Sequence, residues 1–190
     1  MVWAPDYVTT SELKDYLKIT NTDSDAFIGM WITAASWNVN DFCGRQFGQV
    51  AAPEARKYEA VYDRHEAEYL MPIDDVQNVT GLTIVDDAGA TVTDYELLPW
   101  NNGAKGKPYE RMSVPGCGPY TITARWGWVA VPSSVRTGLF LQAARLAQRR
   151  NSPFGISGSP QNQGEIRLLA QLDPDFKVAL KPVLRKWWAA

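Results

Sequence analysis

The sequence contains little of the equipment that catalysis usually needs. Its 190 residues include two cysteines and one histidine, which are too few for a disulfide framework, a zinc site or an ordinary serine–histidine–aspartate triad. Glycine-rich phosphate loops, dinucleotide-binding fingerprints, metalloprotease motifs and nucleophile elbows are all missing. We therefore predict a protein with no catalytic residues, no cofactor and no bound metal.

Long apolar runs are also missing. No stretch approaches the roughly 20 apolar residues that a membrane-spanning helix needs, and the N-terminus has neither the basic start nor the apolar core of a signal peptide. We expect no membrane partner, and an intracellular protein with reduced thiols. Hydrophobic residues make up 45% of the chain and charged residues 21%, so the composition is that of a folded protein.

What is present is an uneven distribution of charge. Residues 131–190 contain nine Lys or Arg and three Asp or Glu, a balance of +6, whereas residues 1–130 contain ten and eighteen, a balance of −8. A basic third beside an acidic remainder predicts two surfaces with different partners. A solvated or subunit-contacting face is the alternative interpretation of the basic residues. The basic candidates for contact with DNA or an acidic partner are Arg145, Arg149, Lys177, Lys181 and Arg185.

Helical patterns occupy both ends of the chain. A capping box at Thr9 predicts a short first helix, and a long second helix follows over about 24–42. Because the second helix is apolar around most of its circumference, we predict that it is buried on most sides, either centrally or against another subunit. Further helices are predicted over 132–151 and after the Asp173-Pro174 start signal.

Strand patterns and turn signals fill the middle of the chain. Acidic pairs at Asp74-Asp75 and Asp86-Asp87 come at predicted strand ends, where we interpret them as solvated turn formers. The fold class is predicted to be α+β, a small helical bundle formed by the N- and C-terminal segments (1–52 and 131–190) with an antiparallel β-rich insertion (53–130). The strand-like runs are 56–63, 68–73, 81–85, 95–98, 110–114 and 120–128.

The C-terminal segment has the features of a region that contacts a partner. Residues 151–164 have the composition of a linker, which is flexible unless a partner orders it. Near the end of the chain, Trp187 and Trp188 are adjacent, and neighbouring side chains on a helix point about 100° apart. One core cannot easily take both, so we expect one of them to face a partner.

Several segments, taken in order, resemble the head-to-tail adaptor, or connector, proteins of tailed bacteriophages. The resemblance covers roughly residues 7–47 and 131–186, while residues 53–130 look like the β insertion of larger members. The matching segments are Tyr7-Val8-Thr9-Thr10-Ser11-Glu12-Leu13, Phe42-Cys43-Gly44-Arg45-Gln46-Phe47, Val131-Pro132-Ser133-Ser134-Val135, Gln148-Arg149-Arg150, Ser152-Pro153-Phe154-Gly155 and Asp173-Pro174-Asp175-Phe176.

The resemblance implies a ring, typically of about twelve copies, beneath the portal at the capsid vertex. Such a ring prolongs the DNA channel, offers a platform to later neck or tail proteins and has no catalytic residues. The implied partners are other copies of the chain, the portal protein, a downstream neck or tail protein and packaged double-stranded DNA. The implied location is the neck of the virion, after assembly in the cytoplasm of the bacterial host. The candidate portal or subunit contacts are Trp187, Trp188, Lys186, Phe154 and Trp31.

Three other functions stay open. One is another neck protein, such as a stopper or a tail-completion protein. The second is a nucleic-acid-binding protein that uses the basic C-terminal third, although the sequence pI of about 5.4 is low for a dedicated binder. The third is a small enzyme whose site has no recognisable motif.

Overall fold

The structure, a computed structural model, describes residues 6–151, 156–157, 166–167 and 172–185. The fold class is α+β, as predicted, and contacts along the backbone divide the chain into two compact units, one of Met1–Gln46 with Val131–Ala190 and one of Phe47–Ala130. The helices are α1 (Thr10–Leu17), α2 (Asp25–Cys43), α3 (Ser133–Asn151) and α4 (Pro174–Leu180), with 3₁₀ turns at Gly103–Lys105 and Lys181–Val183. The strands are β1 (Glu54–Tyr58), β2 (Val61–Asp63), β3 (Glu68–Val76), β4 (Asn78–Asp86), β5 (Glu96–Leu98), β6 (Tyr109–Val114), β7 (Tyr120–Arg125), β8 (Ile156–Ser157) and β9 (Ile166–Arg167).

The first helix begins with the predicted capping box. The Thr9 hydroxyl accepts a hydrogen bond from the backbone N–H of Glu12 (3.3 Å), and the Glu12 carboxylate accepts one from the backbone N–H of Thr9 (2.8 Å). The second carboxylate oxygen of Glu12 accepts a hydrogen bond from Arg136 of α3 at 2.5 Å. One glutamate therefore both starts α1 and ties it to the C-terminal part of the helical unit.

Only one side of α2 is buried. Ile28, Ile32, Ala35 and Val39 are 0–2% exposed, and the helix ends where Gly44 takes a left-handed conformation (φ 62°). The helices that contact α2 are α1, α3 and α4, and Ser36, Asn40 and Cys43 are buried as well. Phe27, Met30 and Trp37 are exposed in the single chain, so α2 is not the centrally buried helix of the first alternative. Burial of its other side against another subunit stays a prediction.

The remaining helices complete a small bundle. Val135, Leu139 and Ala143 of α3 are fully buried, and Phe176 of α4 is fully buried with its ring centroid 5.5 Å from that of Phe42. The bundle joins the N-terminal helices to the C-terminal ones, as the predicted fold class requires.

The middle unit consists of two antiparallel sheets with one shared core. The strand orders are β1-β7-β4 and β2-β3-β6-β5. Along β7 the residues Tyr120, Ile122 and Ala124 are buried while the alternate positions are half-buried or exposed, which is the period-two pattern that the sequence shows. These side chains join Met71, Ile73, Ile84, Met112 and Trp126 in one cluster.

Two predicted strands differ from the observed ones. The run 56–63 is not one strand, because β1 ends at Tyr58 and β2 begins at Val61 in the other sheet. The last strand ends at Arg125, and Gly127 follows with φ 103°. A Cβ atom on Gly127 would lie 1.9 Å from the Gly48 carbonyl oxygen, so this crossing of two backbone segments requires glycine.

The interpretation of the first acidic pair is wrong. Asp74-Asp75 lies inside β3, where Asp75 is 5% exposed and accepts a hydrogen bond from the indole N–H of Trp128 (2.8 Å). Asp74 accepts one from Arg56 (2.6 Å). For Asp86-Asp87 the interpretation is correct, because Asp86 accepts the backbone N–H of Ala90 within the turn after β4 (2.8 Å).

Candidate interaction surfaces

One side of α2 is an exposed apolar surface, the α2 face, which consists of Phe27, Met30, Ala34 and Trp37. These residues are three or four positions apart, so they project from the same side of the helix. Met30 is 66% exposed, Trp37 47% and Phe27 43%. Large apolar side chains that recur along one exposed side of a helix are typical of a surface that another protein covers.

Acidic groups accompany the α2 face. The helix contains two aspartates and neither lysine nor arginine. Asp25 accepts a hydrogen bond from the Lys14 ammonium (2.8 Å), whereas Asp41 is exposed one turn after Trp37. Beside the face, the Thr33 hydroxyl donates to Asp6 (3.0 Å). The charges favour an apolar partner with positive groups at its edge.

The predicted portal or subunit contacts are placed only in part. Trp31 is half-buried and lies one turn after Phe27, at the edge of the α2 face. The other four candidates, Phe154, Lys186, Trp187 and Trp188, lie outside the described residues, as does most of the predicted linker 151–164.

The exposed side of α4 carries two lysines, one aspartate and one large apolar residue. We call Lys177, Val178 and Lys181 the α4 face, and Asp175 is exposed beside it, three residues before Val178. Val178 is 69% exposed and both lysines are exposed. No ion pair joins either lysine to another residue in the described part of the chain. The two ammonium groups are therefore available to an acidic partner.

The three predicted arginines are placed differently from the two lysines. Arg145 faces Asp173 with 3.5 Å between Nη1 and Oδ2, and its side chain is 14% exposed. Because Asp173 also caps α4, this pair fastens α4 to α3. Arg149 and Arg185 are half-buried, and the backbone N–H of Arg185 donates to the Cys43 carbonyl (3.0 Å). The five basic candidates thus do not form one exposed surface.

The β unit carries an exposed tryptophan that sequence reasoning missed. Trp100 is 68% exposed, and its indole N–H donates to Glu96 (3.0 Å). The two residues line a depression of about 620 Å³ together with Leu97, Asn101 and Tyr109. The signal was present in the sequence, because Trp100 stands directly before the Asn101-Asn102-Gly103 turn, and turns lie at the surface.

A polar cluster on β1 and β3 joins Arg56, Tyr58 and Asp74. Arg56 contacts Asp74 (2.6 Å) and Glu54 (3.3 Å), and its guanidinium lies 4.9 Å from the centroid of the Trp126 ring. The Tyr58 hydroxyl donates to Asp74 (2.8 Å). Burial raises the pKa of Tyr58, and the Asp74 carboxylate raises that pKa further. Tyr58 is therefore a protonated donor at neutral pH.

The Cys43 thiol is buried. Burial raises the pKa of the Cys43 thiol to about 12, which keeps it protonated at neutral pH. Within the described residues, no three His, Cys, Asp or Glu side chains are grouped so that they could hold a metal ion. None of the described helices is long and apolar enough to cross a membrane.

Comparison with known families identifies a matching family. The model of a family described as head completion protein matches residues 6–137, which is more than half of the chain. The matched part includes α1, α2 and the whole β unit. No curated protein is similar enough to count as a relative.

Solved structures with a similar fold come from gene transfer agent particles. One is a chain in the neck of an empty gene transfer agent particle, computed with C6 symmetry. It is 17% identical, with a TM-score of 0.58, and the match covers 100% of this chain and 96% of that one. Another is a chain in the virion of the native gene transfer agent particle, 18% identical, with a TM-score of 0.53 and the same coverage. At these identities the likeness concerns the fold.

Proposed function

The chain belongs to the head completion protein family, and on that premise we propose that it is a structural protein of the neck, where the capsid of a phage or phage-like particle joins the tail. In the finer form of the proposal it is a head-to-tail adaptor. About twelve copies form a ring that binds the portal, extends the DNA channel and carries later neck or tail proteins. The chain performs no catalysis, and it is assembled in the cytoplasm of the bacterial host.

The observation that carries the proposal is the α2 face. Its three large side chains remain 43–66% exposed in the single chain, and full burial of a side chain of this kind is worth about 1.5–3 kcal/mol. Contacts between copies in a ring would cover such a surface. The fold supports the proposal, because a chain of the same fold lies in a particle neck with C6 symmetry. A six-fold axis is compatible with a ring of about twelve copies.

We assign the portal contact to the C-terminal segment. The resemblance to adaptors and the adjacent pair Trp187-Trp188 support this assignment, and Phe154 and Lys186 belong to the same proposed contact. The test is to truncate the chain after Arg185 and to measure its attachment to purified portal-bearing capsids. The truncated protein should fold and fail to attach. Unchanged affinity would show that these last residues do not contact the portal.

The packaged DNA that moves through the channel is the proposed partner that requires the fewest contacts. A channel must let DNA slide, and every phosphate contact has to be broken as the DNA moves. A few exposed lysines such as Lys177 and Lys181 are compatible with this requirement, whereas a dense basic lining is not. Three of the five basic candidates are half-buried. This placement agrees better with a structural ring than with a dedicated nucleic-acid-binding protein.

The test of the proposed function combines size-exclusion chromatography with light scattering and attachment to tailless heads. An adaptor should be monomeric alone and should attach, in about twelve copies, only to heads that carry a portal. A stopper or tail-completion protein would attach only after the preceding neck ring. A nucleic-acid-binding protein would instead bind free DNA with an affinity that falls steeply with salt. A discrete oligomer that ignores portal-bearing heads would contradict the proposal.

A further inference from the structure

We infer that the α2 face of one copy packs against the α4 face of the next copy, and that this pairing forms the apolar centre of the ring contact. The inference rests on the proposed ring. A closed ring with cyclic symmetry needs two different patches on every copy, because each contact joins the front of one copy to the back of the next. The helical unit has two such patches.

The exposed apolar side chains of the helical unit fall on these two patches. Among its described residues, five large apolar side chains are exposed. Tyr16 is one of them, and its ring is stacked on Phe140 with centroids 5.0 Å apart. Three of the others belong to the α2 face, and the last is Val178 of the α4 face.

Charge favours a second copy of this chain over another occupant of the α2 face. Asp41 is exposed at one end of the face, and α2 contains no Lys or Arg. The α4 face supplies opposite charges, because Lys177 and Lys181 lie together on one side of Val178, while Asp175 lies on the other. The Lys181 stem can cover the Trp37 side chain while its ammonium group reaches Asp41, which lies about one turn further along α2. DNA does not fit as the occupant, because an apolar surface with an exposed carboxylate at one end offers no positive group to phosphate.

The two surfaces also have similar lengths. From Phe27 to Trp37 the α2 face extends about 15 Å at the α-helical rise of about 1.5 Å per residue. Residues 174–183, which comprise α4 and its final 3₁₀ turn, also extend about 15 Å, since the rise in a 3₁₀ turn is about 2 Å per residue. A helix pair of this size is the centre of an interface rather than all of it, since a stable interface buries about 800 Å² on each partner.

Disulfide cross-linking in assembled rings tests the pairing. The parent is the full chain with Cys117→Ser, because Cys117 is exposed and Cys43 is buried. The two variants, Ala34→Cys and Val178→Cys, change exposed side chains, so both should fold. Mixed on portal-bearing heads and oxidised, they should give a cross-linked dimer that neither variant gives alone. A chain with both substitutions should give a ladder of cross-linked oligomers.

Three results would overturn the inference. One is a dimer of Ala34→Cys with itself, which would mean that two α2 faces meet. Another is cross-linking of Ala34→Cys to Val61→Cys that equals its cross-linking to Val178→Cys, since Val61 is a 70% exposed valine of the β unit and serves as the matched control. The third is an assembled ring without the cross-link, which would assign the α2 face to the portal or to a downstream protein. If the parent chain does not assemble on heads at all, the proposed function itself is wrong.

Charge reversal gives an independent measurement. Asp41→Lys should lower the number of copies retained per head, and adding Lys177→Asp with Lys181→Asp in the same chain should restore it. Failure of the combined variant, with both variants folded by circular dichroism, would refute the charge pairing.

Discussion

Replacing Glu12 separates two interactions that one carboxylate makes. One oxygen accepts the backbone N–H of Thr9 at 2.8 Å, and the other accepts a hydrogen bond from Arg136 at 2.5 Å. Glu12→Gln keeps an acceptor for the capping box but removes the charge, whereas Glu12→Ala removes both interactions. The two variants therefore distinguish the start of α1 from its attachment to α3.

The size of each expected loss of stability follows from how exposed the Glu12 and Arg136 side chains are. The side chains of Glu12 and Arg136 are 38% and 42% exposed, so solvent screens the pair and it is worth about 0.3–1 kcal/mol. The capping interaction adds about 1 kcal/mol. We expect the free energy of unfolding to fall by about 0.5 kcal/mol in Glu12→Gln and about 1.5 kcal/mol in Glu12→Ala. Urea unfolding followed by far-UV circular dichroism measures both differences.

The pH dependence has a definite sign. Hydrogen bonds from the Thr9 backbone and from Arg136 lower the pKa of Glu12 in the folded chain. The stabilisation is therefore complete above the unfolded pKa of about 4.3 and is lost as the pH falls through the lower folded value. The difference between the parent and Glu12→Gln should shrink near pH 3 relative to neutral pH. Equal losses in the two variants, or a double-mutant cycle with Arg136→Gln that shows no coupling, would refute the reasoning.

Three further predictions concern the two units separately. Gly127→Ala should lower the unfolding free energy by about 3 kcal/mol or more, measured in urea, and a loss below about 1 kcal/mol would mean that the backbone crossing relaxes. Phe176→Ala should lower the free energy of unfolding by about 3–5 kcal/mol, whereas Val178→Ala on the same helix should change it by no more than about 0.5 kcal/mol. Thermal unfolding measures both changes, and comparable losses would contradict the burial of Phe176 and the exposure of Val178. A maleimide at neutral pH should modify Cys117 in the folded protein and Cys43 only after unfolding, and mass spectrometry measures both modifications. Labelling of Cys43 in the native state would contradict its burial.

Local signals predicted the helical unit well. The capping box at Thr9, the glycine that ends α2 and the Asp173-Pro174 start of α4 each act over a few residues, so the sequence alone defines them. The structure has all three where they were predicted. The α+β class followed from the change in hydrophobic periodicity along the chain.

Features that depend on long-range packing could not be predicted in the same way. The run 56–63 has the composition of one strand, and only the pairing of β1 with β7 and of β2 with β3 shows that the chain changes sheets. Asp75 looks like a surface residue in the sequence, yet Trp128, distant along the chain, supplies its buried partner.

The α2 face could not be predicted from the sequence for the same reason, because it depends on how the helices pack. Hydrophobic periodicity identified α2 as apolar on most sides, but periodicity does not say which side the chain itself covers. The structure shows that side to be the one with Ile28 and Ile32, and it leaves Met30 and Trp37 exposed. Likewise, the spacing of basic residues could not distinguish the exposed Lys177 from Arg145, which pairs with Asp173.

A reconstruction of the intact neck, from particles that contain this chain, tests the central claim most directly. The account predicts a ring of about twelve copies immediately below the portal, in which every α2 face is covered by the neighbouring copy. A neck that lacks the chain, or a ring in which Met30 and Trp37 remain exposed to solvent, would contradict it.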